Sequence, residues 1–186
     1  KGFKDMKDCN SYNTPNSENT LCGIGFGLLI NGVSSIFFMK QEDFLLLGID
    51  QLVNTNNYLK QVNPNASFTI MLITVDSGYE GIQSSFNQLS ELCLLSDCKG
   101  YALTSSNEVQ NILDECLDQP GMRIITISQR LFKSEIITID NHKKFDDNLY
   151  KYRKGGDVTI VCVNFSLPQG LDLADKLQNK SIKSSI

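Results

Sequence analysis

Phe68-Thr-Ile-Met-Leu-Ile-Thr-Val75 is the stretch of this chain that decides its fold. It is rich in β-branched residues and apolar on both faces, as a central strand of a parallel sheet is. Three further strands are predicted at Ser34–Met39, Tyr101–Leu103 and Met122–Ile127. Helical segments separate the four strands, and this alternation predicts an α/β fold with a parallel sheet and helices on both faces.

The segments between the strands repeat apolar residues at a spacing of three to four, as helices with one buried face do. Gly32 is placed to end the first helix, and Ser105 or Ser106 is placed to begin the last one. The predicted helices are Glu18–Ile30, Phe44–Leu59, Gln83–Leu95 and a helix from that serine to Leu117.

The carboxy-terminal part of the chain is predicted to begin a second domain. Ser134–Gly156 is polar and charged without periodicity, which indicates a linker. Asp157–Asn164 then has the composition of a buried strand, and Pro168–Leu177 that of a helix. The predicted division is a first domain over residues 1–134, a linker over 135–156 and a truncated second α/β domain over 157–186.

Composition and charge exclude several classes of protein. The net charge of −4 and the lack of a Lys/Arg cluster argue against a nucleic-acid-binding surface. The longest apolar run, near Phe44–Ile49, is too short to span a bilayer. Lys1–Asn19 is polar throughout and shows no signal peptide, so we expect a cytoplasmic or organelle-matrix protein. Because the chain begins with Lys1 rather than Met, we expect a fragment or a processed product.

Six cysteines are present, and an even number is compatible with disulfides. Without an export signal, reduced thiols are the better interpretation, and several of the cysteines lie in apolar segments typical of a core. No CxxC pair occurs, so the sequence predicts no metal site of its own.

Two features that suggest other chemistries do not have the required pattern. His142 is the only histidine and lies in the predicted linker, where we expect an exposed side chain rather than the partner of a nucleophile. Gly23, Gly25 and Gly27 lack the GxGxxG spacing of a dinucleotide-binding loop and do not follow a strand. We interpret these glycines as the small face of a helix that another backbone approaches closely.

Asn13-Thr-Pro-Asn-Ser-Glu18 is a more specific motif. Pro15 restricts the backbone just before a helix, and Glu18 falls in the first helical turn, where the helix dipole favours a carboxylate. The residues alone leave two interpretations open: a functional carboxylate, or an ordinary acid at the start of a helix.

The motif opens a longer pattern, which contains in order Asn13-Thr-Pro-Asn-Ser-Glu18, Gly23-Ile-Gly-Phe-Gly27, Ile36-Phe-Phe-Met39, Asp43-Phe44 and Asp50-Gln-Leu-Val-Asn54. This pattern resembles the β subunits of the thiamine-diphosphate-dependent 2-oxo acid dehydrogenases, which have a transketolase-like, pyrimidine-binding domain. Their signature is N/D-T-P-x-x-E, a glycine-rich helix, a strand, an aromatic-rich turn and a D-Q-x-V-N helix. The spacing from the glutamate to the aromatic residue matches without a gap.

The resemblance extends more weakly to the rest of the chain. Gly81–Ser85 falls where the family has a loop with a His-Ser-Gln-type motif. Met122–Phe132 is similar to the family's strand and P-K-R-L-Y segment, and Gly155–Val161 to the opening of its carboxy-terminal domain. Nearly the whole chain is covered, but only the first third is specific.

The resemblance implies a mechanism and the residues that perform it. In the family, a buried glutamate hydrogen-bonds a ring nitrogen of the cofactor's aminopyrimidine and favours the tautomer that takes the proton from the thiazolium carbon. By position that residue is Glu18, which would share its proton in a desolvated pocket. Phe44 takes the position of the ring that stacks on the pyrimidine, unless it is plain core. Lys40 and Asn16 lie near the same pocket by family position.

Two departures from the family pattern change what is expected. Gln83-Ser-Ser85 replaces the loop histidine that serves acyl transfer to the lipoyl group, so a decarboxylase, a carboligase or a transketolase-like activity with another acceptor is expected. The sequence also has no Gly-Asp-Gly…Asn motif for the diphosphate and Mg²⁺. The resemblance therefore implies a pyrophosphate-binding α-type subunit or domain that supplies those ligands within a hetero-oligomer.

The sequence thus predicts one half of a thiamine-diphosphate enzyme that acts on 2-oxo acids or ketols by decarboxylation or by two-carbon or acyl transfer. A catalytically inactive scaffolding or regulatory subunit of such an enzyme is the first alternative, motivated by the missing histidine. An unrelated α/β domain that binds a small molecule is the second. Binding of thiamine diphosphate in the presence of the partner, and its dependence on Glu18, distinguishes the three hypotheses.

Overall fold

A parallel sheet organises the protein in a computed structural model that describes residues 9–62, 64–76, 87–133, 143–146 and 149–186. Its strands are β1 (Ser35–Met39), β2 (Ser67–Thr74), β3 (Lys99–Leu103) and β4 (Gly121–Ser128). They are hydrogen-bonded in the order β1-β2-β4-β3, and every neighbouring pair is parallel. The predicted α/β fold with a parallel sheet is confirmed.

Helices connect the strands and lie on both faces of the sheet. A 3₁₀ helix at Glu42–Gly48 and a π-helix at Gln51–Thr55 follow β1. The α-helices of the described residues are α1 (Glu18–Ile30), α2 (Asn56–Lys60), α3 (Leu89–Ser96), α4 (Ser106–Cys116), α5 (Gln129–Lys133) and α6 (Ser166–Gln178).

Two hydrophobic clusters cover the two faces of the sheet. The larger contains Phe26 of α1, Leu45 of the 3₁₀ helix and Ile124 of β4. The next residue along β4, Ile125, belongs to the other cluster, where it packs with Cys116 of α4. Because successive side chains of a strand point to opposite faces, α1 and α4 cover opposite sides of the sheet.

The segment Phe44–Leu59, predicted as a helix, is helical throughout, but its hydrogen-bond pattern changes along its length. In the 3₁₀ helix the buried residues are Glu42, Leu45 and Gly48, a spacing that matches its three residues per turn. The prediction of helical structure on the core is confirmed. The structure differs from an ordinary α-helix only in its hydrogen-bond pattern, which is 3₁₀ at Glu42–Gly48, π at Gln51–Thr55 and α at Asn56–Lys60.

Within the predicted linker, the structure describes an antiparallel pair of strands, β5 (Lys143–Asp146) and β6 (Leu149–Lys151). Lys144 of β5 forms an ion pair with Glu115 of α4. The described part of this segment is therefore attached to the helix that covers the sheet. The division of the chain into two domains stays a prediction.

Asp157–Asn164, predicted as a buried strand, is mostly not a strand. Only β7 (Val158–Thr159) pairs, in parallel with β8 (Ser184–Ser185). Val161 is 78% exposed, and Asn164 has a left-handed φ of 52°, which ends the extended conformation. The helix predicted after it is confirmed as α6. Apolar composition alone misled the prediction, because a buried strand also needs a neighbouring strand of matching length.

Other predictions have mixed outcomes. Cys22 and Cys116 are buried, and all six cysteines are free thiols, in agreement with the prediction. No helix among the described residues is long and apolar enough to cross a membrane. The predicted start of a helix at Gln83, the loop Gly81–Ser85 and His142 lie outside the described residues.

Candidate functional site

The carboxyl ends of the parallel strands meet at one edge of the sheet, here called the carboxyl edge, which is where open α/β sheets bind ligands. β2 ends there at Thr74 and β4 at Ser128, and β1 leads into the 3₁₀ helix. α1 runs against the strand direction, since Phe26 in its second half contacts Phe68 at the amino end of β2, with ring centroids 5.1 Å apart. The first turn of α1 therefore lies toward the carboxyl edge.

Glu18 is the first residue of α1 and is half-buried. Ser17 precedes it, and its hydroxyl donates to Thr20 Oγ1 at 2.9 Å. One turn further, the Cys22 thiol is fully buried. Burial, and secondarily the nearby Glu18 carboxylate, raises the pKa of Cys22 to about 12. Glu18 thus lies on the side of α1 that faces the protein, one turn before a buried position.

Gly48 allows α1 to approach the 3₁₀ helix closely. A Cβ atom at this position would lie 2.7 Å from Cys22 Sγ and 3.5 Å from Glu18 O. A side chain would push the two elements apart, so a glycine is needed here. The close approach sets Glu18 against the helix that carries Phe44.

The other predicted site residues lie on neighbouring elements. Phe44 is half-buried and packs against the larger hydrophobic cluster. Lys40 is exposed at the carboxyl end of β1, and Asn16 is exposed just before α1. Glu18 and Phe44 are thus brought onto adjoining helices. Among the described residues, no ion pair joins Glu18 to Lys40.

Glu42 is a buried carboxylate at the carboxyl edge that the sequence analysis did not single out. It is 1% exposed. Its two carboxylate oxygens accept hydrogen bonds from the Gln88 N–H at 2.6 Å and from the Thr74 hydroxyl at 2.9 Å. Burial raises the pKa of Glu42, and these two donors partly offset that effect. The carboxylate ties the start of α3 to the end of β1.

The hydrogen bonds of Glu42 continue across the sheet. Thr74 Oγ1 lies 2.5 Å from Thr126 Oγ1, so a chain of polar contacts runs from the 3₁₀ helix over β2 to β4. Such a buried chain rigidifies the elements it joins, and a carboxyl group with a raised pKa can also hold a proton. Its members reach the carboxyl edge but have no exposed face of their own: Thr74 and Thr126 are both fully buried.

Two further carboxylates at this edge each have an oxygen without a hydrogen-bond partner among the described residues. Ser128 donates to Asp76 Oδ2 at 2.6 Å and accepts a hydrogen bond from the Arg130 N–H at 3.2 Å. Asp76 Oδ1 and Asp43 Oδ1 are buried and have no hydrogen-bond partner within the described ranges.

Ser105 takes the N-cap position of α4, as predicted for Ser105 or Ser106, but its hydroxyl bonds the Glu108 side chain rather than a backbone N–H of the helix. Glu108 is 4% exposed and accepts hydrogen bonds from the Ser105 hydroxyl and from the backbone N–H groups of Ser105 and Thr104. Burial nonetheless raises the pKa of Glu108 to about 7. The Tyr152 hydroxyl lies 3.4 Å from Ser105 Oγ, so this cap faces protein rather than an open cleft.

A signal for the missed polar chain is present in the sequence. Thr74 and Thr126 are hydroxyl residues near the carboxyl ends of otherwise apolar strands, and Glu42 follows the end of β1. Polar residues at these positions of a parallel sheet indicate a shared edge. The sequence did not show which of Glu42 and Asp43 is buried, because the 3₁₀ spacing decides that.

Comparison of the sequence with protein-family models and with curated proteins finds no match. The function is therefore argued from the residues of the carboxyl edge and from the resemblance of Asn13–Asn54.

Proposed function

We propose that this chain supplies the aminopyrimidine-binding half of a thiamine-diphosphate enzyme, with Glu18 as the carboxylate that activates the cofactor. The observation that carries the proposal is the packing of the first turn of α1 against the 3₁₀ helix through the bare Gly48. This packing sets the backbone of the half-buried Glu18 beside the 3₁₀ helix that holds the half-buried Phe44. Those are the two groups that the resemblance requires together.

The residues at the carboxyl edge fit the aminopyrimidine ring. Glu18 offers a carboxylate for a ring nitrogen, and Phe44 offers an apolar ring face. Among the described residues, no group of three or more His, Cys, Asp or Glu side chains is placed to hold a metal ion. The Mg²⁺ and diphosphate ligands would come from a partner subunit or domain.

Each residue of the chain has a defined task in this proposal. Glu18 holds a proton between its carboxylate and the ring nitrogen, in surroundings where partial burial strengthens the hydrogen bond. Phe44 orients the ring by contact with its face. Lys40 and Asn16 are proposed as further contacts at the rim. When bound, thiamine diphosphate supplies the electron sink for cleavage or transfer at a carbon next to a carbonyl.

The proposed substrates are 2-oxo acids or ketols, and the proposed reactions are decarboxylation and two-carbon or acyl transfer. The active species in this proposal is a hetero-oligomer with a pyrophosphate-binding α-type partner. A subunit that only scaffolds such an enzyme remains the alternative hypothesis, and it predicts that Glu18 is dispensable.

The test uses the complex purified from cells that produce the tagged chain. Glu18→Gln should lower the release of CO₂ from a panel of 2-oxo acids by about 10²-fold or more, since a proton-transfer group is lost. It should also weaken the binding of thiamine diphosphate with Mg²⁺, measured by isothermal titration. Circular dichroism should show an unchanged fold.

A matched control is Glu91→Gln, which removes an exposed acid from the first turn of α3. It should leave both turnover and binding unchanged. Full turnover in Glu18→Gln contradicts the proposal. Cofactor binding that is independent of Glu18, in a complex without turnover, favours the scaffolding subunit. No binding under any partner condition favours an unrelated α/β domain.

A further inference from the structure

A cavity of about 280 Å³ opens at the amino edge of the sheet, where β3 and β4 begin, at the end opposite to Glu18. Lys60, Lys99 and Arg123 contribute three positive charges to its lining. Asp97 contributes one negative charge. The cavity therefore carries a net positive charge and favours a small anionic ligand.

The contacts of these side chains leave positive charge available. Lys60 Nζ forms an ion pair with Asp97 Oδ2 at 2.6 Å. Lys99 is exposed, and its ammonium group donates only to the neutral Gln119 side chain, at 3.2 Å, among the described contacts. Arg123 is 3% exposed, and its Nη1 has no hydrogen-bond partner in the part of the chain that the structure describes.

Cys98 also lines the cavity, and its thiol contacts that of Cys93. Asp97, with a left-handed φ of 47°, ends α3, and the Cys98 N–H donates to Cys93 O at 3.2 Å. This is the six-to-one hydrogen bond of a Schellman helix end, an arrangement in which the side chains of the two bonded positions meet. In most helices that contact joins two apolar groups, whereas here it joins two thiols.

The surrounding residues leave space for both sulfur atoms. A Cβ atom at Gly100 of β3 would lie 2.5 Å from Cys93 Sγ, so this glycine accommodates the sulfur. On the other side, Ser96 Oγ lies 3.2 Å from Cys98 Sγ. Cys98 is thus the thiol at the cavity, and Cys93 lies between it and the strand.

The two thiols differ in acidity. The hydrogen bond from Cys93 lowers the pKa of Cys98 most, and the Ser96 hydroxyl and the Lys60 charge lower it further, whereas burial and the Asp97 carboxylate raise it. The same hydrogen bond and burial raise the pKa of Cys93. Cys98 is the thiol that ionises first, and the thiolate is the nucleophilic form of cysteine.

We propose that Cys98 is a thiol–disulfide exchange site for a small anionic disulfide of the glutathione type, and that Cys93 is its resolving thiol. Cys98 is half-buried, lines the cavity and lies beside a second cysteine, and such neighbouring pairs are typical of redox-sensitive thiols. The site lies at the opposite edge of the sheet from Glu18 and does not depend on the function proposed for that residue.

The proposed exchange proceeds in two balanced steps. In the first, the Cys98 thiolate attacks one sulfur of the disulfide, the disulfide bond breaks, and one glutathione thiolate leaves and takes up a proton. In the second, the Cys93 thiol loses its proton and attacks Cys98 Sγ, which releases the second glutathione as a thiol. The two cysteines are oxidised to one intrachain disulfide, and the external disulfide is reduced to two thiols.

The test is incubation of the reduced, full chain with oxidised glutathione, followed by alkylation and mass spectrometry. The tryptic peptide 61–99 contains Cys93 and Cys98 and none of the other cysteines. We expect the oxidised peptide to carry no alkyl group and to be two hydrogen atoms lighter than the same peptide with two free thiols. For each reagent, the rate at this peptide is divided by the rate at the exposed Cys9. This ratio should be about tenfold higher with oxidised glutathione than with cystamine, a cationic disulfide.

Single substitutions separate the two cysteines. Cys93→Ser should stop the reaction at a glutathione adduct on Cys98, and Cys98→Ser should prevent both the adduct and the lighter peptide. Lys99→Gln should reduce the preference for the anionic reagent; its tryptic peptide is 61–123, so fragmentation must separate Cys93 and Cys98 from Cys116. Cys9→Ser should leave the peptide 61–99 unchanged. Thermal unfolding of the reduced variants checks the fold. If Cys98→Ser does not fold, Cys93→Ser and Lys99→Gln still test the proposal, through the adduct on Cys98 and the preference for the anionic reagent. Absence of the lighter peptide, or equal relative rates with both reagents, overturns the proposal.

Discussion

At the residue scale, two threonines of β2 have opposite surroundings. The Thr74 hydroxyl donates to Glu42 at 2.9 Å and contacts Thr126. Thr69 is just as deeply buried, but its hydroxyl has no hydrogen-bond partner in the described stretches of the chain. A buried hydroxyl stabilises a protein only where it is paired, because burial removes its hydrogen bonds to water.

Valine substitutions should separate these two threonines. Thr74→Val should lower the free energy of unfolding by about 1–3 kcal/mol, because the buried Glu42 carboxylate loses a donor. Thr69→Val should leave the free energy of unfolding unchanged or raise it, because it removes an unpaired polar atom while keeping the shape. Urea unfolding followed by circular dichroism measures both. Equal losses at the two positions would mean that the polar chain does not stabilise the carboxyl edge.

At the element scale, the glycines of α1 show how the helix is positioned over the sheet. A Cβ atom at Gly25 would overlap the ring of Phe68 in β2, whereas a Cβ atom at Gly27 would have nothing within 4 Å. The predicted close approach of another backbone to these glycines is not found: the side chain of Phe68 lies against Gly25, and the side chain of Gln51 lies at ordinary contact distance from Gly23. The contact at Gly25 keeps α1 in the orientation that brings Glu18 to the carboxyl edge.

Alanine at these two positions should change stability in opposite directions. Gly27→Ala should raise the free energy of unfolding by about 0.5–1 kcal/mol, because alanine favours the helix more than glycine does. Gly25→Ala should lower it by about 1–3 kcal/mol, because the added methyl group displaces the Phe68 ring. Chemical denaturation of the two variants provides the comparison. If both substitutions stabilise, α1 does not pack on β2 in this orientation, and the placement of Glu18 loses its support.

At the scale of the whole molecule, a third hydrophobic cluster lies apart from the two that cover the sheet. It contains Leu167 and Ala174 of α6 together with Ile186. The third cluster also adjoins the part of the chain that carries the sheet. The guanidinium carbon of Arg130 in α5 lies 4.3 Å from the centroid of the Phe165 ring, just before α6. A separate core is what a second domain requires, but the two parts also touch.

Hydrogen exchange should show whether the third cluster unfolds on its own. Leu167→Ala removes a fully buried side chain and should speed amide exchange in α6 and β8. Exchange in β2 and β4 should be unchanged if the predicted domain division holds. Mass spectrometry of peptides from the two parts measures this difference. Equal acceleration in β2 and β4 would show that the chain unfolds as one unit.

The sequence by itself determined the parallel strands, the glycine-rich helix and the start of α4 at Ser105 or Ser106, because these features depend on local periodicity and on the conformational preferences of single residues. It also provided the ordered motifs from which Glu18 and Phe44 were chosen. Only the tertiary structure decided that Glu42 rather than Asp43 is buried, because that choice depends on the 3₁₀ geometry and on donors from distant segments.

The same reason accounts for the other features that the sequence did not predict. The pairing of Cys93 with Cys98 requires a left-handed residue at Asp97, and the shortness of β7 follows from the length of its partner strand. The approach of Glu18 to the 3₁₀ helix depends on Gly48, which lies thirty residues away along the chain. Contacts between residues far apart in sequence are determined by packing, and local patterns carry no information about them.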